Sequence, residues 1–318
     1  MKNKRVCVIG SGYWGKNHLN ALDNLKVLAG VVDQDISALE SAINSYPKVN
    51  GHSTIEKALL ENYDAYTIAT PAKTHFTIAK KIIKAKKPVL IEKPMTFSIE
   101  EAKELIRLSK QNKVNVMVGH VLLFHPAITQ IKNKIKEGKI GKLQYMYSNR
   151  LNLGKVRTEE NVFWSLAPHD IAIFHYLTDS VPTSIKANGS TFLQKGIHDS
   201  SLTQLEYKSG IKGHIFVSWL HPFKEHRLVV IGSEAMISFE DSSAGNPLKF
   251  YSKKIDLKSG VPEKIDGPVK IISFEKRMPL DIELEYFIEH LGDKEPEIAN
   301  IYHGLEVVRT LVKASKQL

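Results

Sequence analysis

Near its start the chain runs Val6-Cys7-Val8-Ile9-Gly10-Ser11-Gly12-Tyr13-Trp14-Gly15, an apolar strand leading straight into G-x-G-x-x-G, with a helix-competent stretch behind it. No other feature restricts the fold as much. Gly10 permits a tight turn, Gly12 lets the backbone approach a pyrophosphate, and Gly15 lets helix and strand pack closely, while the helix N-terminus offers N–H groups to the phosphates. The next apolar run, 27–32, ends in Asp33, where a carboxylate can accept hydrogen bonds from adenosine ribose hydroxyls. Gln34 and Asp35 follow, and no nearby Arg is placed to hold a 2′-phosphate, so the expected dinucleotide is NAD rather than NADP. Gly10, Gly12, Tyr13, Trp14, Gly15 and Asp33 are the first cofactor-binding candidates.

Strand-length apolar runs recur at 65–69, 88–91 and 114–118, separated by helix-like stretches. The clearest helix covers 100–111: Ala102, Leu105, Ile106 and Leu108 keep helical spacing, and Ser98 with Glu101 forms a capping-box signature. Strands alternating with helices predict a doubly wound parallel sheet, an α/β domain over residues 1–124. After His125-Pro126 comes one more amphipathic helix, 127–137. The rhythm then changes to longer alternating segments at 143–149, 202–207, 211–219 and 227–231, which read as strands of an antiparallel sheet, with Gly138, Gly141, Gly210 and Gly232 as turn residues. Residues 280–318 return to helical periodicity. Residues 125–318 are therefore expected to form a second, α+β domain.

With 318 residues, 42% hydrophobic and 25% charged, the chain can bury the cores of two domains. The basic start, Met1 to Arg5, precedes an apolar run too short for a signal-peptide core, and no apolar stretch is long enough to cross a bilayer, so a cytoplasmic location is expected. The single cysteine, Cys7, rules out an intramolecular disulfide and a thiolate metal cluster, and its apolar setting suggests an inert thiol. No metal site is expected. The net charge of +10 suits an anionic ligand, but Lys and Arg are spread along the chain without a basic arm, so nucleic acid is not an expected partner.

Two further strand ends carry chemistry-bearing residues: Thr70-Pro71 with His75, and Glu92-Lys93-Pro94. Ligands of a doubly wound sheet gather at the carboxyl ends of its strands, which puts Lys93 near the nicotinamide, with its direction set by Pro94 if that peptide bond is cis. These residues, with Val118-Gly119 leading to His125-Pro126, Ala167-Pro168-His169-Asp170 and Ser218-Trp219, resemble the glucose-fructose oxidoreductase / inositol dehydrogenase / MocA (Gfo/Idh/MocA) family over nearly the whole chain. The resemblance implies a Rossmann domain joined to a domain built on a large, open, mostly antiparallel sheet. It also implies a homodimer or homotetramer that uses the face of that sheet. Thr70, Pro71, His75, Glu92, Lys93 and His120 join the expected cofactor contacts.

Alcohol oxidation needs a base for the hydroxyl proton while hydride leaves carbon. By resemblance His169 is the catalytic histidine; its side-chain type titrates near neutrality. Lys93 is the second catalytic candidate, orienting the hydroxyl, stabilising an alkoxide, or acting as base if burial lowers its pKa. Many relatives place an Asp four residues before the histidine; this chain has Ser165 there, and Asp170 cannot substitute because adjacent helical residues point apart. Leu123 stands where relatives commonly carry Arg.

The stretch from Ser148 to Arg157 carries Arg150, Asn152 and Arg157, a mixture suited to a phosphorylated or carboxylated sugar. With Lys93, Ser165 and His169 they form the expected substrate-binding set. The pattern looks most like family members that oxidise nucleotide-linked sugars, UDP-N-acetylglucosamine or its uronate at C3. An inositol or simple-sugar dehydrogenase is the alternative within enzymology; a non-catalytic NAD-binding sensor is the alternative outside it.

Overall fold

The structure, a computed structural model, describes residues 4–243, 245, 247–292 and 294–318; Met1, Lys2 and Asn3 of the basic start lie outside them. The chain divides into two compact units. The first comprises the residues up to Phe124 together with Arg277–Arg309, and the second comprises His125–Lys276 with Thr310–Leu318.

In the first unit, strands β1 (Val6–Ile9), β2 (Leu28–Val32), β3 (Asn50–His52), β4 (Ala65–Ile68), β5 (Val89–Glu92) and β6 (Val116–Gly119) alternate with helices α1 (Tyr13–Asn24), α2 (Ile36–Ser45), α3 (Ile55–Leu59), α4 (His75–Lys84) and α5 (Ile99–Asn112). The strands form one parallel sheet in the order β3-β2-β1-β4-β5-β6, the doubly wound arrangement expected. Strands β1, β4, β5 and β6 are buried along their whole length, which is why they read as continuous apolar runs rather than as alternation. Cys7 is fully buried in β1, and burial pushes its thiol far above the ordinary range, in keeping with an inert role. Helix α5 starts at the expected cap: the Ser98 hydroxyl accepts from the Glu101 N–H at 3.0 Å.

The second unit opens with α6 (Pro126–Lys136) and continues through β7 (Leu143–Leu153), α7 (Val162–Thr178), β8 (Pro182–Ser190), β9 (Ser200–Tyr207), β10 (Lys212–Ser218), β11 (Leu220–Gly232), β12 (Met236–Glu240), β13 (Leu248–Tyr251), the hairpin of β14 (Lys254–Asp256) with β15 (Glu263–Ile265), and β16 (Val269–Ile271). The large sheet runs β16-β13-β12-β11-β7-β10-β9-β8; only β7 and β10 pair in parallel, so it is mixed and mostly antiparallel. Helix α7 packs on β7, β9 and β10. Gly213 makes that approach possible, since a Cβ there would meet the Phe174 ring at 2.8 Å.

The chain then forms α8 (Pro279–Glu289) and α9 (Ile301–Ser315). The expected second domain, 125–318, is corrected here: 277–309 belongs to the first unit. Helical periodicity announces a buried face without naming what covers it. Gly138, Gly141 and Gly210 do take positive φ. Gly232 ends β11 at the turn into β12, its N–H donating to the Ala235 carbonyl at 3.0 Å, and a Cβ there would lie 2.0 Å from the Ile140 carbonyl oxygen, so it also serves close approach.

Candidate functional site

In the first unit the glycine loop bends as its residues require. Gly10 has φ +93°, and a Cβ on Gly15 would sit 1.9 Å from the Gly10 carbonyl oxygen, so only glycine lets α1 begin so close to the turn. A Cβ on Gly12 would meet nothing within 4 Å: that side of the loop is open. Gly12 is also the N-cap of α1 and supplies no side-chain cap, and the first turn carries no acidic residue, so the helix end faces an incoming anion unopposed. Tyr13 is almost fully exposed there, and Trp14 partly so.

Asp33 stands just past β2. Its Oδ2 accepts from the Ser11 N–H and hydroxyl, both at 2.7 Å, and its Oδ1 accepts from the Asp35 N–H at 3.0 Å. The carboxylate is thereby fixed beside the loop with acceptor capacity left over. Asp35 itself caps α2 through Ala38 N–H. An open Gly12 face, an uncapped helix end and a fixed carboxylate fit the pyrophosphate and adenosine ribose of NAD.

The β5 end is organised from behind. Glu92 Oε1 accepts from His18 Nε2 at 2.8 Å, and Oε2 accepts from the Lys93 N–H at 3.2 Å. Burial alone would raise this carboxyl; the His18 bond and charge, aided by the Trp14 indole and Lys93, hold it below the ordinary glutamate value. The Lys93–Pro94 peptide bond is cis. His75 is buried with Nδ1 2.9 Å from the Pro94 carbonyl and Nε2 2.9 Å from the Thr70 carbonyl, so its ring clasps the two loops together. His120 is buried against the His303 ring, at 5.3 Å between centroids. The polar atoms of Glu92 and His75, two expected cofactor contacts, are engaged by protein groups, which makes both residues supports of the strand ends. Thr70, whose hydroxyl pairs with that of Thr74 at 2.6 Å, Pro71 and Lys93 are only partly buried or exposed at the strand ends.

In the second unit α7 begins at Asn161, whose side chain accepts from Trp164 N–H at 3.1 Å. Ser165 and His169 lie a turn apart on this helix, both half-buried, with Pro168 between them unable to donate to the Trp164 carbonyl. Asp170 points elsewhere, as adjacency on a helix requires: it takes two hydrogen bonds from Arg150, Nε to Oδ2 at 2.8 Å and Nη2 to Oδ1 at 3.1 Å. Arg150, an expected substrate contact, is thus a buried ion-pair partner of Asp170. Burial opposes its charge, but Asp170 outweighs that and raises its pKa. Asn152 is half-buried near the end of β7, and Arg157 is exposed on the segment between β7 and α7, where its carbonyl accepts from Gln194 at 2.9 Å.

A profile described as the oxidoreductase family with an NAD-binding Rossmann fold matches residues 4–120, and the Gfo/Idh/MocA C-terminal domain profile matches residues 128–238. The chain belongs to the Gfo/Idh/MocA oxidoreductase family. Among its curated Gfo/Idh/MocA relatives, the UDP-N-acetylglucosamine 3-dehydrogenase of Acidithiobacillus ferrooxidans is 27% identical, over 97% of this chain and 95% of that one. The scyllo-inositol 2-dehydrogenase (NAD(+)) of Bacillus subtilis is 31% identical over 185 residues, 55% of this chain and 54% of that one. A solved structure of the Acidithiobacillus ferrooxidans enzyme superposes with a TM-score of 0.86 at 24% identity, covering 99% of this chain and 97% of that chain, and so shares the fold. As a Gfo/Idh/MocA protein the chain is an NAD-dependent oxidoreductase.

Three buried groups of this Gfo/Idh/MocA chain escaped the sequence reading. His18 is spaced like any core residue of α1, and its link to Glu92 crosses 74 positions. Asp199, fully buried, accepts from Phe192 and Leu193 N–H and from the Trp219 indole at 2.6 Å, organising the 190s loop. Glu283 did leave a signal: it falls on the same helical face as Leu280, Leu284 and Phe287, where a carboxylate is out of place. No helix among the described residues is long and apolar enough to cross a membrane, and no group of three His, Cys, Asp or Glu among them could hold a metal ion.

Proposed function

We propose that this enzyme oxidises a secondary hydroxyl of a nucleotide-linked sugar, UDP-N-acetylglucosamine or its uronate, at C3. The observation that carries this reading is the end-to-end match to a UDP-N-acetylglucosamine 3-dehydrogenase, 97% of this chain against 95% of that one, where the inositol dehydrogenase relative aligns over 55%. When bound, NAD supplies the hydride acceptor. Lys93, fixed at the end of β5 by the Glu92 carboxylate and the clasp of His75, holds the reacting hydroxyl and stabilises the alkoxide as it forms. His169 takes the hydroxyl proton. Arg157 supplies an exposed guanidinium for the diphosphate, and Asn152 and Ser165 supply polar contacts to the sugar. Arg150 drops out of the diphosphate set because Asp170 occupies it.

The same reading makes the enzyme a cytoplasmic homodimer or homotetramer that associates through the open face of the large sheet. Supporting this, Tyr145, Tyr147, His214 and Phe216 alternate with buried neighbours and leave that face half-exposed and aromatic.

The test is incubation with NAD and separate panels of UDP-sugars, UDP-sugar uronates, free sugars and inositols, following reduced nicotinamide and product mass. Reduction confined to a UDP-N-acetylhexosamine or its uronate, with a ketone at C3, is the expected result. Turnover only with inositols or free sugars would overturn the substrate, and bound NAD without turnover on any panel would favour the sensor.

A further inference from the structure

Glu283 has no exposed surface, and neither of its carboxyl oxygens has a hydrogen-bond partner. It sits on α8, which packs against α1 and against the short helical turn Val121–Phe124. A carboxylate in such a place loses its hydration and gains no hydrogen bond in return, which disfavours the charged form. Burial first, and the nearby Glu92 charge second, push its pKa well above the ordinary value.

Glu92 is the hub of this region. It binds His18 and the Trp14 indole, both in the first two turns of α1, and it binds the Lys93 N–H. One carboxylate therefore ties the phosphate-facing end of α1 to the Lys93 turn. It has little room to move: a Cβ on Gly119, in the neighbouring strand, would already lie 2.9 Å from the Glu92 carboxyl carbon.

We propose that Glu283 is a positioning residue for the dinucleotide loop and the Lys93 turn, acting through the His18–Glu92 pair. As an uncharged acid it leaves Glu92 the single anion of the buried cluster, free to commit both oxygens to His18 and Lys93. Ionised, it would set two negative charges in one dry space, and like-charge repulsion would pull Glu92 off its partners. Facing the cluster, helix α1 contributes His18, β5 and its turn contribute Glu92 and Lys93, and the Val121–Phe124 turn contributes only apolar side chains. On α8 itself, Glu285 pairs with Arg277 at 2.6 Å, away from the buried face.

The consequence is a nucleotide affinity that falls as pH rises through the Glu283 titration. NADH binding is the direct readout, because it needs no sugar and so stands or falls separately from the substrate assignment. The full-length protein is titrated with NADH by fluorescence from about pH 6 to about pH 9.5 as wild type, Glu283→Gln and His18→Asn, with thermal melts to show that each is folded. The wild-type Kd should rise at least about fivefold, roughly 1 kcal/mol. Glu283→Gln, which mimics the neutral acid, should match wild type at low pH and stay flat; His18→Asn should bind more weakly throughout. Should Glu283→Gln fail to fold, Glu283→Leu supplies the same uncharged comparison. A flat wild-type profile, parallel profiles in wild type and the neutral variant, or undiminished binding by folded His18→Asn would each overturn the proposal.

Discussion

Arg150 on β7 and Asp170 on α7 form a buried two-point ion pair, with Nε–Oδ2 at 2.8 Å and Nη2–Oδ1 at 3.1 Å, immediately beside His169 in sequence. The pair fixes the turn of α7 from which His169 projects. Breaking it from one side strands a charge in the interior. Arg150→Met or Asp170→Asn should each cost about 3–5 kcal/mol in urea denaturation, whereas the paired replacement Arg150→Met with Asp170→Leu should recover most of that. A loss in the double variant equal to the sum of the two single losses would show that the two residues do not act as a unit.

Lys93→Ala and His169→Ala are expected to retain NADH binding while turnover falls at least about a hundredfold, the usual order for a lost acid–base group. Steady-state kinetics beside fluorescence titration separates the effects. Ordinary turnover in both variants would remove them from the chemistry.

Asp33 holds the loop through Ser11, and the proposed function gives it the ribose as well. Asp33→Ala should therefore weaken NAD at least about tenfold and NADP less, because the lost carboxylate repels a 2′-phosphate while accepting from a 2′-hydroxyl. Kd values for both nucleotides check this; an equal loss for both would confine Asp33 to supporting the loop.

His226, across from Arg150 in the β7–β11 register, is pushed down to about 3, by burial first and then by the charges of Arg150 and Lys224. The fold keeps this ring neutral, while the unfolded chain protonates it near pH 6.5. The unfolded state therefore binds the extra proton, and stability falls as pH drops below about 6.5, by at most about 1.4 kcal/mol per pH unit from this residue. His75 and His125 are also lowered by burial and act in the same direction. Denaturation curves at pH 7 and pH 5.5 should show a shallower fall for His226→Gln; an unchanged slope would mean that the ring is protonated in the fold.

Much of the nucleotide half was legible because its signals are local. Gly10, Gly12 and Gly15 answer steric demands within one turn, Asp33 follows its strand directly, and Ser98 caps the next three residues. The supports were not legible, since His18–Glu92, His75–Pro94 and Arg150–Asp170 are separated by 74, 19 and 20 positions. Neither partner of such a pair carries a mark of the other. Arg150 shows the consequence: read along the chain it is one more cation in a polar stretch, and only burial against α7 turns it into a structural ion.

By itself the sequence determined the alternation of strands and helices, the glycine turn, the carboxylate that follows β2 and the family, because these depend on backbone sterics and short-range spacing. Tertiary structure decided that residues 277–309 return to the first unit, that Glu283 is buried without a partner on the face α8 turns inward, and which charges are paired. Those outcomes depend on what covers each face, and desolvation and pairing are properties of three-dimensional surroundings rather than of neighbours along the chain.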